Sequence, residues 1–222
     1  MTVRPSNKGR FVTFEGGEGV GKSTQIRRLA ASLVAAGIDV LVTREPGAAP
    51  GLLVQANAIR QLLVEGEPGT WQPESEALLN YAQRLEHVRR VIAPAIEAGR
   101  WVLCDRFADS TMAYQGYGHR LGPEFVRKLH RLVLGRQQPD LTLMFDLPVE
   151  IGLKRALARA GAETRYERMD IAFHKRLRQG FRAIAKAAPK RCKIVKADGS
   201  EDQVAARIAM LVTARFGVKL AP

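Results

Sequence analysis

The sequence predicts an α/β fold of three layers, in which helices cover both faces of a parallel β-sheet. Strand-like runs alternate with amphipathic helical stretches along the 222 residues, and this alternation is typical of parallel sheets. The strand-like runs are largely apolar, as strands buried on both faces must be. The chain is long enough for one domain, residues 1–222, with a sizeable core. The strand-like runs are 11–15, 38–43, 101–104, 141–146 and 193–197.

The first strand-like run leads into a glycine-rich loop and then a helical stretch. The loop matches G-x-x-x-x-G-K-[ST], with Gly16, Gly21, Lys22 and Ser23 at the fixed positions. Its glycines let successive backbone N–H groups converge on phosphate oxygens, and the following helix directs its positive end to the same place. Lys22 can reach the β- and γ-phosphates, and the Ser23 hydroxyl can bind Mg²⁺. The predicted ATP-binding residues are Gly16, Gly17, Glu18, Gly19, Val20, Gly21, Lys22, Ser23 and Thr24.

The later elements bring further polar segments to the same edge of the predicted sheet. "REPG" (44–47) follows the second strand-like run, and "DRF" (105–107) follows the third. Because ligands of such sheets bind beyond the carboxyl ends of the strands, we expect both segments to lie near the glycine-rich loop. The predicted helices are 22–36, 52–65, 74–98, 123–135, 149–160, 170–187 and 201–214.

The motif content favours a small-molecule kinase among the proteins with this loop. The D-x-x-G and N-K-x-D motifs of a GTPase are absent, and motor or transporter ATPases usually need a longer chain. A nucleoside monophosphate already presents an anionic oxygen, so its kinase needs cations that hold it in line rather than a base. Arginine suits this task because it can donate two parallel hydrogen bonds to phosphate. Arginines occur where an acceptor pocket should form, at Arg44, Arg60, Arg84 and Arg106.

The charge distribution leaves a second function class open. The net charge is +13, and residues 154–193 contain 13 Lys and Arg residues against three acidic residues. Such a segment suits a lid over a triphosphate, but it also suits a nucleic-acid-binding ATPase. We expect no stable nucleic-acid partner. The two cysteines are expected to be free buried thiols of a cytoplasmic chain, and no apolar run approaches a membrane span.

Four motifs in order resemble those of bacterial thymidylate kinase. They are "GGEGVGKST", "REPG", "YAQRLEHV" and "DRF" followed by "DSTMAYQGYG", and the likeness extends from about residue 11 to residue 214. The resemblance implies a P-loop NTPase fold with a five-stranded parallel sheet. It also implies the reaction ATP + dTMP → ADP + dTDP with Mg²⁺, and a homodimer formed through helices beside the sheet.

The resemblance further implies roles for individual residues. Arg106 would hold the dTMP phosphate, Asp105 would join Ser23 near the metal, and Arg84 would face the thymine base. Tyr114 would pack where a ribose 2′-hydroxyl would intrude. The residues implied in dTMP binding are Arg44, Glu45, Arg60, Asn80, Arg84, Arg106, Thr111, Tyr114 and Gln115.

The family's members carry a catalytic arginine either in the P-loop or in the lid. This P-loop has Glu18 at the relevant place, so the resemblance predicts arginines in a lid at about 155–170. Such arginines would close on the transferred phosphoryl group. The predicted catalytic residues are Lys22, Glu18, Arg106, Arg155, Arg159 and Arg165.

Asn80 departs from the family pattern. Relatives usually place a phenylalanine there, which stacks on thymine, whereas an amide can only hydrogen-bond to a base edge. The spacing puts Asn80 on the same helical face as Arg84. We therefore expect weaker dTMP binding or looser base choice, and a kinase for another nucleoside monophosphate remains an alternative. Ala48-Ala49-Pro50 also replaces the family's usual Gly-Thr, which leaves the conformation of that loop open.

Overall fold

Five strands form a single parallel sheet in the computed structural model, which describes residues 9–49, 53–158 and 165–220. The spatial order is β2-β3-β1-β4-β5, with β1 at the centre. This confirms the predicted five-stranded parallel sheet, and the strand ends differ from the predicted ones by two residues at most. The strands are β1 (Arg10–Gly16), β2 (Val40–Arg44), β3 (Trp101–Asp105), β4 (Leu141–Asp146) and β5 (Cys192–Lys196).

Helices connect consecutive strands and flank the sheet. A wide π-helical turn, Val88–Ile92, joins α3 to α4, and a second one, Met112–Gly118, continues α5. No helix in the described part of the chain is both long and apolar enough to span a membrane. The described helices are α1 (Lys22–Ala35), α2 (Val54–Val64), α3 (Pro73–His87), α4 (Ala93–Glu97), α5 (Ala108–Thr111), α6 (Pro123–Leu134), α7 (Val149–Leu157), α8 (Ile171–Ala187) and α9 (Glu201–Phe216).

The central strand is buried on both faces because its side chains alternate between two cores. Val12 and Phe14 pack with apolar residues of α1 and α9. Phe11 points to the other face, where it packs with Val88 and Ile92 of the π-helical turn after α3. Two-sided burial explains why the strands are apolar almost throughout rather than alternately polar.

Residues 108–118 form a helix that the sequence does not predict. The segment is rich in small and polar residues, which are weak helix formers. Its stability comes from packing, since Ala113 and Tyr114 lie in one buried cluster with Phe173 and Leu177 of α8. This helix carries three of the predicted acceptor-binding side chains toward the sheet edge.

Candidate functional site

The glycine-rich loop wraps closely between the end of β1 and the start of α7. Gly19 has a φ of +65°, and a Cβ atom there would lie 1.9 Å from the carbonyl oxygen of Gly152. Only glycine therefore fits at this position. The loop ends at Lys22, whose Nζ donates to the carbonyl oxygens of Gly16 and Gly17 at 3.3 and 2.9 Å. The predicted strand, loop and helix occur in the expected order.

Arg106 and Glu18 form an ion pair beside Lys22. Arg106 donates through one nitrogen to Glu18 Oε1 at 2.9 Å and through the other to the carbonyl oxygen of Gly16 at 2.9 Å. The Tyr114 hydroxyl donates to the same Glu18 oxygen at 2.5 Å. Burial would raise the pKa of Glu18, but the charges of Arg106 and Lys22 lower it to about 2. Burial and then the Arg106 charge lower the pKa of Lys22 to about 8. The group therefore concentrates positive charge where phosphate would bind.

A second buried acidic side chain, Glu15, holds the turn that presents Arg106. Arg106 has a φ of +68°, an uncommon conformation for a residue with a side chain. Glu15 accepts hydrogen bonds from the Phe107 backbone N–H at 2.7 Å and from the Ser110 hydroxyl at 2.6 Å. Burial, and then the Asp109 charge, raise the pKa of Glu15 to about 8. The sequence reasoning missed this role. The sequence signal for it is that Glu15 is the one acidic residue of the largely buried strand β1.

The predicted donor and acceptor residues line one cavity of about 600 Å³. It opens beyond the carboxyl ends of β1, β2 and β3, as expected for a parallel sheet. The predicted site residues among its lining are Glu18, Gly19, Val20, Gly21, Lys22, Ser23, Arg44, Glu45, Arg60, Asn80, Asp105, Arg106, Thr111, Tyr114, Gln115 and Arg165.

Among the described residues, five predicted site residues do not line the cavity: Gly16, Gly17, Thr24, Arg84 and Arg155. Gly16 ends β1 and Gly17 begins the loop, and Thr24 lies in the first turn of α1. Arg155 is exposed on α7, and Arg159 falls outside the described residues.

Arg84 is buried and is not among the cavity-lining residues. Its Nε donates to Glu45 Oε2 at 2.7 Å, and one terminal nitrogen donates to Thr111 Oγ1 at 3.0 Å. Burial would raise the pKa of Glu45, but Arg84 and His87 lower it. Arg84 therefore supports two cavity-lining side chains, while its other terminal nitrogen has no hydrogen-bond partner among the described residues.

Oxygen atoms suited to a metal lie beside the loop. The Ser23 hydroxyl donates to Asp105 Oδ2 at 3.2 Å, and the buried Oδ1 of Asp105 has no hydrogen-bond partner within the described ranges. Mg²⁺ prefers oxygen ligands and is often held by one or two carboxylates together with substrate phosphates. The described residues contain no cluster of three or more His, Cys, Asp or Glu that could hold a metal.

The returning end of the predicted lid closes one side of the cavity. Arg165 is buried and forms an ion pair with Glu76, and it also donates to the carbonyl oxygen of Leu63 at 2.5 Å. Tyr166 donates to Glu76 at 2.8 Å and lines the cavity. The sequence reasoning missed Glu76, although it lies four residues before Asn80 and therefore on the same face of α3.

Comparisons with known proteins identify relatives over most of the chain. The thymidylate kinase family model matches residues 14–208. The thymidylate kinase of Caulobacter vibrioides is 53% identical over 211 residues, which cover 95% of this chain and 99% of that protein. The thymidylate kinase of Rhizorhabdus wittichii is 50% identical, covering 90% of this chain and 95% of that protein.

A solved structure extends the likeness to three dimensions. The crystal structure of thymidylate kinase from Ehrlichia chaffeensis superposes with a TM-score of 0.72 at 32% sequence identity, covering 92% of this chain and 98% of that one. The matched residues, 14–208, include the end of β1, the other four strands, the glycine-rich loop and the cavity-lining helices described above. The chain therefore belongs to the thymidylate kinase family.

Proposed function

We propose that this chain transfers the γ-phosphoryl group of ATP to the phosphate of dTMP. A phosphate oxygen of dTMP forms the new bond to phosphorus, and the bond to the β–γ bridging oxygen breaks. ADP leaves with that electron pair, and dTDP is the second product. One observation carries the proposal: Lys22, Arg106 and Tyr114 line the same cavity of about 600 Å³, within reach of two nucleotides held end to end.

The proposed roles follow from charge and position. Lys22 and the loop amides bind the donor phosphates, and Arg106 holds the dTMP phosphate in line while Glu18 fixes its guanidinium. Ser23 and Asp105 would hold Mg²⁺, which would neutralise charge on the donor phosphates. Tyr114 fills the space that a ribose 2′-hydroxyl would need.

The remaining proposed roles lie around the acceptor and in the lid. Arg44, Glu45, Arg60, Asn80, Thr111 and Gln115 border the acceptor nucleotide, with Arg44 and Glu45 at its sugar and phosphate. Arg84 supports Glu45 and Thr111 through hydrogen bonds. Arg155, Arg159 and Arg165 are the candidates for closing on the transferred group within a lid at about 155–170. We further propose a cytoplasmic homodimer with no stable nucleic-acid partner.

A coupled ADP-release assay with dTMP, dUMP, UMP, CMP and AMP as acceptors tests the function. We expect turnover with dTMP to exceed turnover with every other acceptor. A preference for another monophosphate would favour the alternative kinase that Asn80 leaves open. ATP hydrolysis that needs DNA and no monophosphate, together with salt-sensitive DNA binding, would instead identify a nucleic-acid-binding ATPase.

A further inference from the structure

A buried carboxylate joins two parts of the cavity wall. Glu76 lies on α3 with a fully buried side chain. Its Oε1 accepts hydrogen bonds from Gln115 Nε2 at 2.5 Å and from the Tyr166 hydroxyl at 2.8 Å, and its Oε2 pairs with Arg165. Gln115 belongs to the helix at the acceptor pocket, whereas Arg165 and Tyr166 belong to the lid. The Glu76 carboxylate therefore connects the helix of residues 108–118 to the lid directly.

The contact with Glu76 determines how Gln115 presents its amide. A carboxylate can only accept hydrogen bonds, so Gln115 must direct its Nε2 toward Glu76. The carbonyl Oε1 of Gln115 is then the polar atom left for a ligand, and Gln115 lines the cavity. An acceptor at this position complements the N3–H of thymine or uracil. Cytosine has an acceptor at N3 and would leave two acceptors facing each other, which disfavours its binding.

The lid side of the contact is equally extensive. Arg165 also donates to the carbonyl oxygen of Leu63, and Arg168 donates to Glu67 at 2.8 Å and to the carbonyl oxygen of Gly66 at 2.7 Å. Residues 165–168 therefore dock on the end of α2 and on the connection between α2 and α3. Burial, and then the Glu76 charge, raise the pKa of Tyr166 well above its ordinary value, so its phenol keeps the proton that it donates.

We propose that Glu76 is a positioning residue that couples docking of the lid segment 165–168 to recognition of the imide edge of the acceptor base. Burying the Glu76 carboxylate costs free energy unless Arg165 is paired with it. Docking of the lid therefore favours the buried, ionised Glu76 that accepts the hydrogen bond from Gln115. A base bound to Gln115 favours the docked lid in return, because such coupling is reciprocal. The inference rests on the proposed function and adds to it a determinant of base choice.

Kinetics of Glu76→Gln test the pocket side of the proposal. The substitution keeps the shape but removes the charge, so Gln115 can turn its amide either way. We expect the dTMP KM to rise about tenfold, the usual effect of losing a hydrogen bond to a charged group. We also expect the ratio of kcat/KM for dTMP to kcat/KM for dCMP to fall about tenfold. A general loosening of the fold would not selectively change this ratio. Glu74→Gln, an exposed acid on the same helix, is the matched control.

Trypsin cleavage within the lid tests the other side. We expect dTMP to slow cleavage after the lid's basic residues in the wild-type protein, and to protect Glu76→Gln little even at saturation. Cleavage without nucleotide should already be faster in the variant. Wild-type base discrimination together with wild-type protection by dTMP in Glu76→Gln would overturn the proposal.

Arg165→Leu and Tyr166→Phe carry the test if Glu76→Gln does not fold, as judged by thermal unfolding. Coupling predicts a raised dTMP KM for both variants. A lower kcat at unchanged dTMP KM for Arg165→Leu would assign Arg165 to the transferred phosphoryl group and contradict the coupling. Wild-type protein that does not phosphorylate dTMP would refute the proposed function instead, and cleavage without nucleotide would still test whether the lid docks on Glu76.

Discussion

Arg106 shows how much surrounding structure one functional side chain requires. Its backbone adopts a φ of +68°, which costs free energy for a residue with a Cβ atom. The cost is offset by the hydrogen bonds that Glu15 accepts from the next residues and by the pairing of the guanidinium with Glu18. Strain held in this way keeps the guanidinium preorganised for an anion.

Glu15 should make stability depend on pH. Its pKa is about 8 in the folded protein against 4.5 as the ordinary value, so the folded state binds more protons between these pH values. The resulting stabilisation is complete below pH 4.5 and is lost as the pH rises through 8. In urea unfolding between pH 5 and 8, Glu15→Gln should therefore lose less stability than the wild type. The exposed Glu97→Gln should follow the wild-type curve, and parallel curves for Glu15→Gln would contradict the prediction.

Asn80 should limit the affinity for dTMP. Its Nδ2 donates to the carbonyl oxygen of Glu76 at 2.9 Å, so the side-chain hydrogen bond that its replacement removes lies within α3. Asn80→Phe should lower the dTMP KM about tenfold, because stacking contributes about 1–3 kcal/mol per base. Asn80→Leu separates stacking from simple apolar contact and should have a smaller effect. An unchanged dTMP KM in Asn80→Phe would show that the side chain does not face the base.

At the scale of elements, the helix of residues 108–118 depends on its close approach to α8. A Cβ atom at Gly180 would lie 2.8 Å from the Cβ of Tyr117, and one at Gly118 would lie 2.6 Å from the Phe173 ring. Two glycines, one on each helix, thus allow the packing. This contact also positions Tyr114, which lies between them in the same cluster.

Gly180→Ala should destabilise the protein by about 1–3 kcal/mol, as overpacking of a core usually does. The Cβ of Tyr117 is bonded to the backbone, so rotation of the side chain cannot move it away. Chemical denaturation measures the change. Gln179→Ala, at an exposed neighbouring position of α8, should stay within about 0.5 kcal/mol of the wild type. Equal stability of the two variants would mean that the helices can separate without cost.

The elements differ in how far the sequence predicts them. The five strands and the glycine-rich loop were predictable, because two-sided burial and phosphate binding impose local patterns on the chain. Residues 108–118 were not, since small and polar residues form that helix only against α8. The burial of Arg84 against Glu45 could not be predicted either. The sequence spacing of an arginine on a helix face is the same whether the side chain contacts a ligand or a carboxylate. Glu15 and Glu76 are single acids whose partners come from distant segments.

At the scale of the whole molecule, two packed helices leave apolar side chains exposed. Leu78 on α3 is 55% exposed and Leu132 on α6 is 83% exposed. Leu78 and Leu132 lie on two helices that pack together, and the family resemblance places a dimer interface on helices beside the sheet. This position agrees with the homodimer that we propose.

Leu132→Glu should weaken that dimer. A charge placed in an apolar interface loses hydration without gaining a partner. In sedimentation equilibrium, the wild type should have about twice the chain mass of 24.5 kDa, and the variant should shift toward the single-chain mass. Met210→Glu, at a similarly exposed position on α9, should leave the mass unchanged. A variant that keeps the double mass would place the interface elsewhere.

The central position of β1 has a consequence for how the protein fluctuates. Both edges of β1 are occupied, by β3 on one side and β4 on the other, so its amides open to solvent only when the sheet comes apart. Deuterium uptake should be slowest along Phe11–Glu15 and should report the global unfolding equilibrium there. The glycine-rich loop is thereby attached to the strand whose amides should exchange most slowly. The proposed acceptor side is instead formed by helices that can unfold locally without opening the sheet.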